Sequence, residues 1–253
     1  MDTKALELYR LSLKAGYAHF VPAYLSSIIP IVPPPSDNPN SSLSFMLGEL
    51  MPHSWRHTSE WIESLAAWFQ GQRKPYTVFG TAFAWVQFFD AIDTRFQLPE
   101  ECVIIETGGF KGRSREVSRE ELYGMFTERL GVPATHCIAE YGMSEMASQY
   151  YDTALLDFRN GITRQTRKMG LPHLLRTRVI DPITNEDVEP GQPGLLAHYD
   201  IANFNSVLAI QTEDYGYAMP DGEGFILLGR APGAALRGCS LTAEEFAERQ
   251  NRK

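Results

Sequence analysis

The chain has 253 residues, of which 43% are hydrophobic and 21% are charged, and its formal net charge is −8. These proportions are those of an ordinary globular protein, and they exclude a disordered or collagen-like chain. Binding to nucleic-acid phosphates requires clustered Lys and Arg, so the acidic balance argues against a nucleic-acid partner. We interpret the short basic stretches 113–119 and 164–168 as solvated faces.

The three cysteines, Cys102, Cys137 and Cys239, lie far apart in the sequence. They form neither a disulfide framework nor a CxxC metal pair, and a reducing, cytoplasmic setting fits this pattern best. Cys102 and Cys137 lie in apolar segments, where a thiol acts as a small hydrophobic group. Of the two longest uncharged stretches, 15–36 is interrupted by prolines and 75–89 is too short, so we predict no membrane span.

The first 140 residues alternate helices with short apolar strands. Ser118 and Glu121 form a capping-box pattern at the start of one helix, and Gly131 marks its end. Strands that alternate with helices and end in glycine turns predict a parallel sheet covered by helices. The spacing of apolar residues predicts helices over 6–20, 59–70, 81–96 and 118–130, and strands over 76–79, 102–106 and 136–139.

Beyond residue 170 the pattern changes to one of β-hairpins. The segments 174–180 and 194–199 flank turn-forming residues at 181–187. A second antiparallel pair is predicted at 207–211 and 224–228.

These elements predict the fold class α/β, with a parallel sheet flanked by helices followed by a mostly β subdomain. We place the two domains at 1–170 and 171–253, where the pattern changes. A proline-rich loop over 30–40 is interpreted as part of the first domain's surface.

Two glycine-containing turns follow predicted strands of the first domain. Gly108 and Gly109 form a pair that would let a ligand approach the backbone closely. In the segment 141–145, a hydroxyl (Ser144) and a carboxylate (Glu145) follow a strand, a combination that suits a phosphate and its Mg²⁺. Taken by itself, each motif is also compatible with a plain turn.

Two further motifs lie in the second domain. Asp214 follows a predicted strand, where its carboxylate can accept hydrogen bonds from ribose hydroxyls, although a turn without a ligand is the alternative. Cys239 lies beside Arg237 and ahead of a predicted helix. A thiol in that position would have a lowered pKa and be a better nucleophile, but a free cysteine is also often an inert hydrophobic group.

In their order along the chain, these motifs resemble those of the adenylate-forming enzymes, which include acyl-CoA synthetases and phenylacetate-CoA ligase-like enzymes. Residues 107–111 resemble the family's glycine-rich strand end, and 141–145 resemble its Tyr-Gly-x-Ser/Thr-Glu motif. The turn at 189–194 resembles its Gly-x-x-Gly hairpin. The segment 212–214 resembles its ribose-binding motif, and 229–230 resembles its hinge dipeptide.

Within that superfamily, the chain most resembles the acyl-protein synthetases of bacterial bioluminescence systems, which are long-chain-fatty-acid–protein ligases. The resemblance covers about 6–241 and rests on 40–46, 112–115 and 237–241. Like those ligases, the chain is expected to lack the large C-terminal lid. The family's phosphate loop lies upstream of the region that corresponds to Met1, so we expect a truncated or split gene product.

The resemblance implies a role for each matching residue. The nucleotide would be bordered by Thr107, Gly108, Gly109, Tyr141, Gly142, Asp214 and Arg230. The catalytic residues would be Ser144, near the phosphate, Glu145, which would also hold Mg²⁺, and Cys239, which would take the acyl group as a thioester.

The same resemblance implies ATP and Mg²⁺ as cofactors and a fatty acid as substrate. The acid would be activated as acyl-AMP, transferred to Cys239 and delivered to an acyl reductase, with an acyl-transferase as a further partner subunit. Both a homo-oligomer and a hetero-oligomer are compatible with this reading. Two alternatives remain open: an acyl-CoA ligase of the phenylacetate-CoA ligase type, and a non-catalytic acyl-carrying subunit, which the missing phosphate loop favours.

Overall fold

The computed structural model describes residues 3–22, 27–51, 60–108, 115 and 117–231. The chain divides into two compact units. The described part of the first, here called the parallel unit, lies within residues 22–140. The second, here called the antiparallel unit, consists of residues 3–21 and 141–231. The division into domains at 1–170 and 171–253 stays a prediction.

The described helices and strands agree broadly with those predicted. The α-helices, in chain order, are α1 (Thr3–Phe20), α2 (Ser42–Leu50), α3 (Trp61–Gly71), α4 (Ala82–Ala91), α5 (Arg119–Leu130) and α6 (Ala154–Arg159). The strands are β1 (Ile28–Pro30), β2 (Thr77–Thr81), β3 (Val103–Thr107), β4 (Cys137–Tyr141), β5 (Tyr150–Asp152), β6 (Lys168–Met169), β7 (Leu175–Ile180), β8 (Gly194–Asp200), β9 (Ala209–Ala218) and β10 (Phe225–Arg230).

The parallel unit contains strands β1 to β3 and β4 as far as Glu140, in sequential order, and neighbouring strands run parallel. The strands are almost fully buried, as expected for a parallel sheet covered by helices. This confirms the predicted α/β fold class. Helix α4 is shorter than the predicted 81–96 and ends at Ala91, where Ile92 takes an extended conformation.

The helices of this unit begin and end at capping residues. Ser118 accepts a hydrogen bond from the backbone of Glu121, whose carboxylate in turn accepts one from Ser118, so the predicted capping box is present. Gly131 ends the helix with φ +71°, a left-handed conformation that glycine adopts without strain. Thr81 caps α4 in the same way as Ser118, by accepting from the Ala84 amide.

Aromatic side chains fill the core of the parallel unit. Phe126 on α5 is fully buried, and its ring centroid lies 5.0 Å from that of Trp85 and 5.8 Å from that of Phe89. Phe88 packs edge-on against Phe69, with the centroids 5.7 Å apart. The aromatic residues of α4 therefore serve as core packing.

The antiparallel unit contains six strands in the order β5-β6-β10-β9-β8-β7, and the paired neighbours run antiparallel. The predicted hairpin is confirmed, since β7 pairs with β8. The prediction that 207–211 pairs with 224–228 was wrong. Residues 209–211 pair with β8, and the later part of β9 pairs with β10, because β9 is a single strand of ten residues.

Strand β10 contains a β-bulge. Leu227 is opposite Gly216, but Gly229 is opposite Tyr215, so Leu228 is an extra residue without a partner in the register. Gly229 has φ +124°, which favours glycine. The register then continues, with Arg230 opposite Asp214.

The basic stretch 164–168, interpreted above as solvated, is partly buried. Lys168 and Asp152 form an ion pair of 3.2 Å, and their side chains are 6% and 2% exposed. Arg167 is also buried and pairs with Asp221. The interpretation was wrong for these two cations because each has an acidic partner from a distant part of the chain. Among the described residues, no helix is both long and apolar enough to cross a membrane.

Candidate functional site

Three of the residues assigned to the nucleotide meet in the antiparallel unit. Tyr141 ends β4, and its hydroxyl donates a 2.7 Å hydrogen bond to Oδ2 of Asp214 on β9. Arg230, opposite Asp214 on β10, donates through Nη1 to the other carboxylate oxygen at 3.1 Å. The side chain of Asp214 is 14% exposed and that of Arg230 is 33% exposed, so the cluster lies at the edge of the core.

Hydrogen bonds also hold the backbone of Asp214 in place. Its amide donates to the Thr212 hydroxyl at 3.0 Å, and that hydroxyl donates to the Leu196 carbonyl at 2.9 Å. The segment 212–214 therefore lies within strand β9 and forms no turn. Arg230 also donates a hydrogen bond through Nη2 to the Glu213 carboxylate at 2.6 Å. The guanidinium is thereby held between the carboxylates of two successive residues, Glu213 and Asp214.

Tyr141 is protonated at neutral pH. Burial of the phenol, followed by the negative charge of Asp214, raises its pKa well above the usual range. Its single proton is therefore available as a hydrogen-bond donor to the carboxylate.

His198, which the sequence analysis did not identify, is the next member of this network. It lies on β8, is 1% exposed, and its Nε2 is 3.1 Å from the Tyr141 hydroxyl. Its Nδ1 is 3.0 Å from the hydroxyl of Thr177, its register partner on β7. The Thr177 hydroxyl donates to that of Tyr150 at 2.8 Å. Burial lowers the pKa of His198 to about 4, so the ring is neutral at pH 7.

A second buried network anchors the loop that follows Tyr141. Asp200, at the end of β8, accepts hydrogen bonds from the amides of Ala147 and Ser148, both at 2.8 Å. It also accepts from the Ser148 hydroxyl at 2.8 Å and from the Ala202 amide at 3.0 Å. The Ser148 hydroxyl is 2.6 Å from that of Ser12 on α1. The loop is thereby tied to two other elements of the unit.

Ser144 and Glu145 lie in this anchored loop and are exposed. Mg²⁺ bound with a nucleotide takes one or two carboxylates and completes its shell with phosphate oxygens and water. Glu145 fits that requirement as a single exposed carboxylate. Within the described ranges, no cluster of three or more His, Cys, Asp or Glu residues is arranged to hold a metal by itself.

Thr107 and Gly108 lie in the parallel unit, at the carboxyl end of β3. The Thr107 hydroxyl donates to the carboxylate of Glu140, its register partner on β4, and both side chains are buried. Gly108 has φ +69° and open space where a Cβ would stand, so the chain can turn here beside a ligand. Gly109, its predicted companion, lies outside the described residues.

Cys102 and Cys137 are free and buried. Burial raises the pKa of Cys102 to about 11 and raises that of Cys137 further, so both thiols stay protonated at neutral pH. Cys239, the predicted nucleophile, lies outside the described residues, and its role stays a prediction.

No protein-family model matches the chain, and no curated protein matches it. Solved structures do. O-succinylbenzoate coenzyme A synthetase (MenE) from Bacillus subtilis, in complex with AMP, aligns at a TM-score of 0.59 and 15% identity, over 91% of this chain and 47% of that one. A mutant form of coronafacic acid ligase from Pectobacterium brasiliense aligns at 0.59 and 17% identity, over 90% and 43%. ATP-bound MatB from Rhodopseudomonas palustris aligns at 0.56 and 12% identity, over 90% and 44%.

These structural neighbours are adenylate-forming enzymes, and the chain spans less than half the length of each. At such low identity the likeness concerns the fold and leaves the residues' roles to be argued from geometry. Over the part that it covers, the chain has the α/β fold of the adenylate-forming enzymes.

Proposed function

We propose that this chain binds ATP and takes part in the activation of a carboxylic acid as an acyl-adenylate. The observation that carries the proposal is the Tyr141–Asp214–Arg230 cluster, set on a fold shared with ATP- and AMP-bound enzymes. A buried-edge carboxylate held from two sides is pre-organised to accept further hydrogen bonds.

The Asp214 carboxylate retains the capacity to bind a ribose. An ionised carboxylate offers about four lone-pair sites. Tyr141 and Arg230 occupy one on each oxygen. The remaining sites can accept the two ribose hydroxyls without loss of either existing bond. Arg230 would add a positive charge near the nucleotide.

In the proposed reaction, a carboxylate oxygen of the acid forms a bond to the α-phosphorus of ATP. The bond from that phosphorus to the bridging oxygen breaks, and its electron pair leaves with pyrophosphate. Mg²⁺, when bound, supplies neutralising charge at the phosphates. Glu145 would hold the ion, and Ser144 would donate a hydrogen bond to a phosphate oxygen.

For the second half-reaction we propose that the Cys239 thiolate attacks the acyl-adenylate carbonyl, forming a thioester and releasing AMP. The fatty acyl group would then pass to an acyl reductase, with an acyl-transferase as a further partner. A specific observation supports a second candidate, transfer to coenzyme A, because one structural neighbour is a coenzyme A synthetase.

ATP–pyrophosphate exchange with fatty acids of different lengths tests the first half-reaction. We expect label from pyrophosphate to enter ATP only when an acid is present. The Asp214→Ala variant should bind ATP at least about tenfold more weakly, because it loses hydrogen bonds to a charged acceptor. Asp187→Ala, which removes an exposed aspartate of the same unit, is the matched control and should bind normally. Equal affinity in the Asp214 variant would remove the ribose assignment.

To identify the acyl acceptor, the Cys239→Ser variant is incubated with radiolabelled fatty acid and ATP, and the labelled product is determined. Loss of self-acylation in this variant supports the protein thioester. Transfer to coenzyme A that survives the substitution supports the ligase alternative. A chain that is acylated by a partner but shows no exchange by itself is an acyl-carrying subunit.

A further inference from the structure

His198 occupies an enclosed position behind the candidate nucleotide site. Its ring centroid lies 5.5 Å from that of Tyr141, 5.0 Å from Tyr150 and 5.6 Å from Phe225. Three aromatic rings thus surround the imidazole, and its two nitrogens face the hydroxyls of Tyr141 and Thr177. An apolar side chain of similar size would fill this space, but it would leave both hydroxyls without these bonds.

The protons of this network can be assigned by counting donors. The Tyr141 hydroxyl has one proton, which it donates to Asp214. The Tyr141 oxygen can then only accept from His198, so Nε2 of His198 must carry a proton. Since the ring is neutral, Nδ1 has none and can only accept, so the single proton of the Thr177 hydroxyl is shared between Nδ1 and the Tyr150 oxygen, to which it also donates. His198 is therefore the Nε2–H tautomer.

We propose that His198 is a positioning residue for the nucleotide site. By donating to the Tyr141 oxygen, it turns the hydroxyl proton of Tyr141 toward Asp214 and holds the carboxylate in the orientation that accepts ligand hydroxyls. His198 acts only through Tyr141 and does not touch the nucleotide. This inference rests on the proposed function, because it concerns how the ligand-binding carboxylate is held.

The chain of contacts explains how so buried a residue affects a ligand. Successive hydrogen bonds polarise one another in a low-dielectric interior, so a donor at the Tyr141 oxygen makes the Tyr141 proton a stronger donor. The Thr177 hydroxyl contacts the other end of the imidazole at Nδ1. The same logic, in which a hydrogen bond to one ring nitrogen determines the proton on the other, applies to histidines generally.

The first test is independent of nucleotide binding. Long-range ¹H–¹⁵N NMR of the imidazole side chains distinguishes the two neutral tautomers. We expect the His198 signal to show the Nε2–H form at pH 7 in the wild-type chain. A signal from the Nδ1–H form overturns the inference, whatever the protein binds.

The second test is a double-mutant cycle read out as the dissociation constant of Mg-ATP. The shorter side chain of His198→Asn keeps an amide near Thr177 but cannot reach Tyr141. This variant should bind Mg-ATP about tenfold more weakly, because one hydrogen bond that supports the charged carboxylate is lost. Tyr141→Phe should have a similar effect. The double variant should bind no more weakly than Tyr141→Phe alone, because His198 acts through the hydroxyl that this variant lacks.

Conservative and control variants separate positioning from folding. His198→Gln reaches Tyr141 with an amide N–H and should restore affinity to within about threefold of wild type. His173→Gln changes an exposed histidine of the same unit and should have no effect. Circular dichroism establishes that each variant is folded before binding is measured.

The outcomes distinguish this inference from the proposed function. Losses that add in the double variant overturn the positioning role and leave the nucleotide site intact. Failure of His198→Gln to recover affinity, with normal folding, does the same. Absence of ATP binding by the wild-type chain overturns the proposed function, and the role of His198 in ligand binding with it.

Discussion

The parallel and antiparallel units are filled with different kinds of side chain. The parallel unit has a core of aromatic and aliphatic groups, and its buried carboxylates, Glu106 and Glu140, lie toward the carboxyl ends of strands. The antiparallel unit buries polar and charged groups among its apolar ones. These include Asp152, Lys168, His198 and Asp200, all less than a tenth exposed.

The two interiors tolerate change for different reasons. An apolar core responds to lost volume and shape, and isosteric replacements cost little. A buried polar network responds to the loss of a single partner, because each remaining donor or acceptor stays out of water without a bond. The candidate nucleotide carboxylate belongs to the second kind of interior. Changes of equal size should therefore have different consequences in the two units.

The largest effect is expected from a cavity in the parallel unit. Phe126→Ala removes a fully buried ring and should lower the free energy of unfolding by about 3–5 kcal/mol. Phe126→Leu, which keeps most of the volume, should cost about 1 kcal/mol. Urea unfolding followed by tryptophan fluorescence measures both, since Trp61, Trp68 and Trp85 belong to this unit. Equal losses in the two variants would contradict the description of this core as apolar packing.

Acid should destabilise the antiparallel unit through His198. The pKa of His198 is about 4 in the folded chain, against an ordinary value near 6.5. Between these values the unfolded chain binds a proton that the folded chain does not. The stabilisation is complete above pH 6.5 and is lost as the pH falls toward 4, by about 3 kcal/mol.

The variant His198→Gln isolates this contribution, because carboxylates titrate over part of the same range. Unfolding by urea is measured for the variant and the wild type at several pH values between 4 and 7. The difference between the two should shrink as the pH falls. A difference that stays constant with pH would show that His198 is not held neutral.

A smaller effect is expected from an isosteric change at the second polar network. Asp200→Asn keeps the size of the side chain but replaces one acceptor oxygen by an amide group. At least one of the buried donors of Ala147, Ser148 or Ala202 then loses its acceptor, which should cost about 2 kcal/mol. Urea unfolding followed by circular dichroism measures the loss, with Asp187→Asn as the exposed control. An unchanged midpoint would show that water can reach these amides.

No measurable effect is expected from a surface ion pair of the same unit. Arg178 and Asp187 are bonded at 2.7 Å, but their side chains are 40% and 61% exposed. Solvent screening and side-chain entropy offset the attraction in such pairs. Arg178→Gln should leave the urea midpoint unchanged at moderate salt. A clear loss would mean that the polar residues at the surface of this unit are coupled to the interior.

The sequence predicted the parallel unit better than the antiparallel one. Capping residues and glycine stops are local signals, and Ser118, Glu121 and Gly131 place α5 within a residue of its observed bounds. The hairpin of β7 and β8 could also be predicted from the sequence, because turn-forming residues separate its two strands. The short strands β5 and β6 carried no such signal, since two or three residues have no recognisable period.

Residues of the candidate site that belong to a continuous motif could be singled out from the sequence, whereas a residue contributed by a distant strand was missed. Tyr141 and Asp214 were identified from their motifs, and their hydrogen bond joins positions 73 residues apart. His198 belongs to no motif, and its partners are 57 and 21 residues away. A lone histidine in an apolar strand is the only local indication of it. Register, which depends on the whole sheet, brings these residues together.

The inserted residue in β10 has a consequence for tracing distant homologues of this chain. Residues opposite each other in a sheet share a face, and one extra residue reverses the alternation beyond it. If Leu228 instead paired with Tyr215 without a bulge, Gly229 would lie opposite Asp214 and Arg230 opposite Glu213. A homologue that lacks this one residue would therefore keep its guanidinium opposite the aspartate with no bulge, whereas one that keeps the residue but forms no bulge would need the guanidinium one place earlier. An alignment of this strand should therefore place its gap at the bulge.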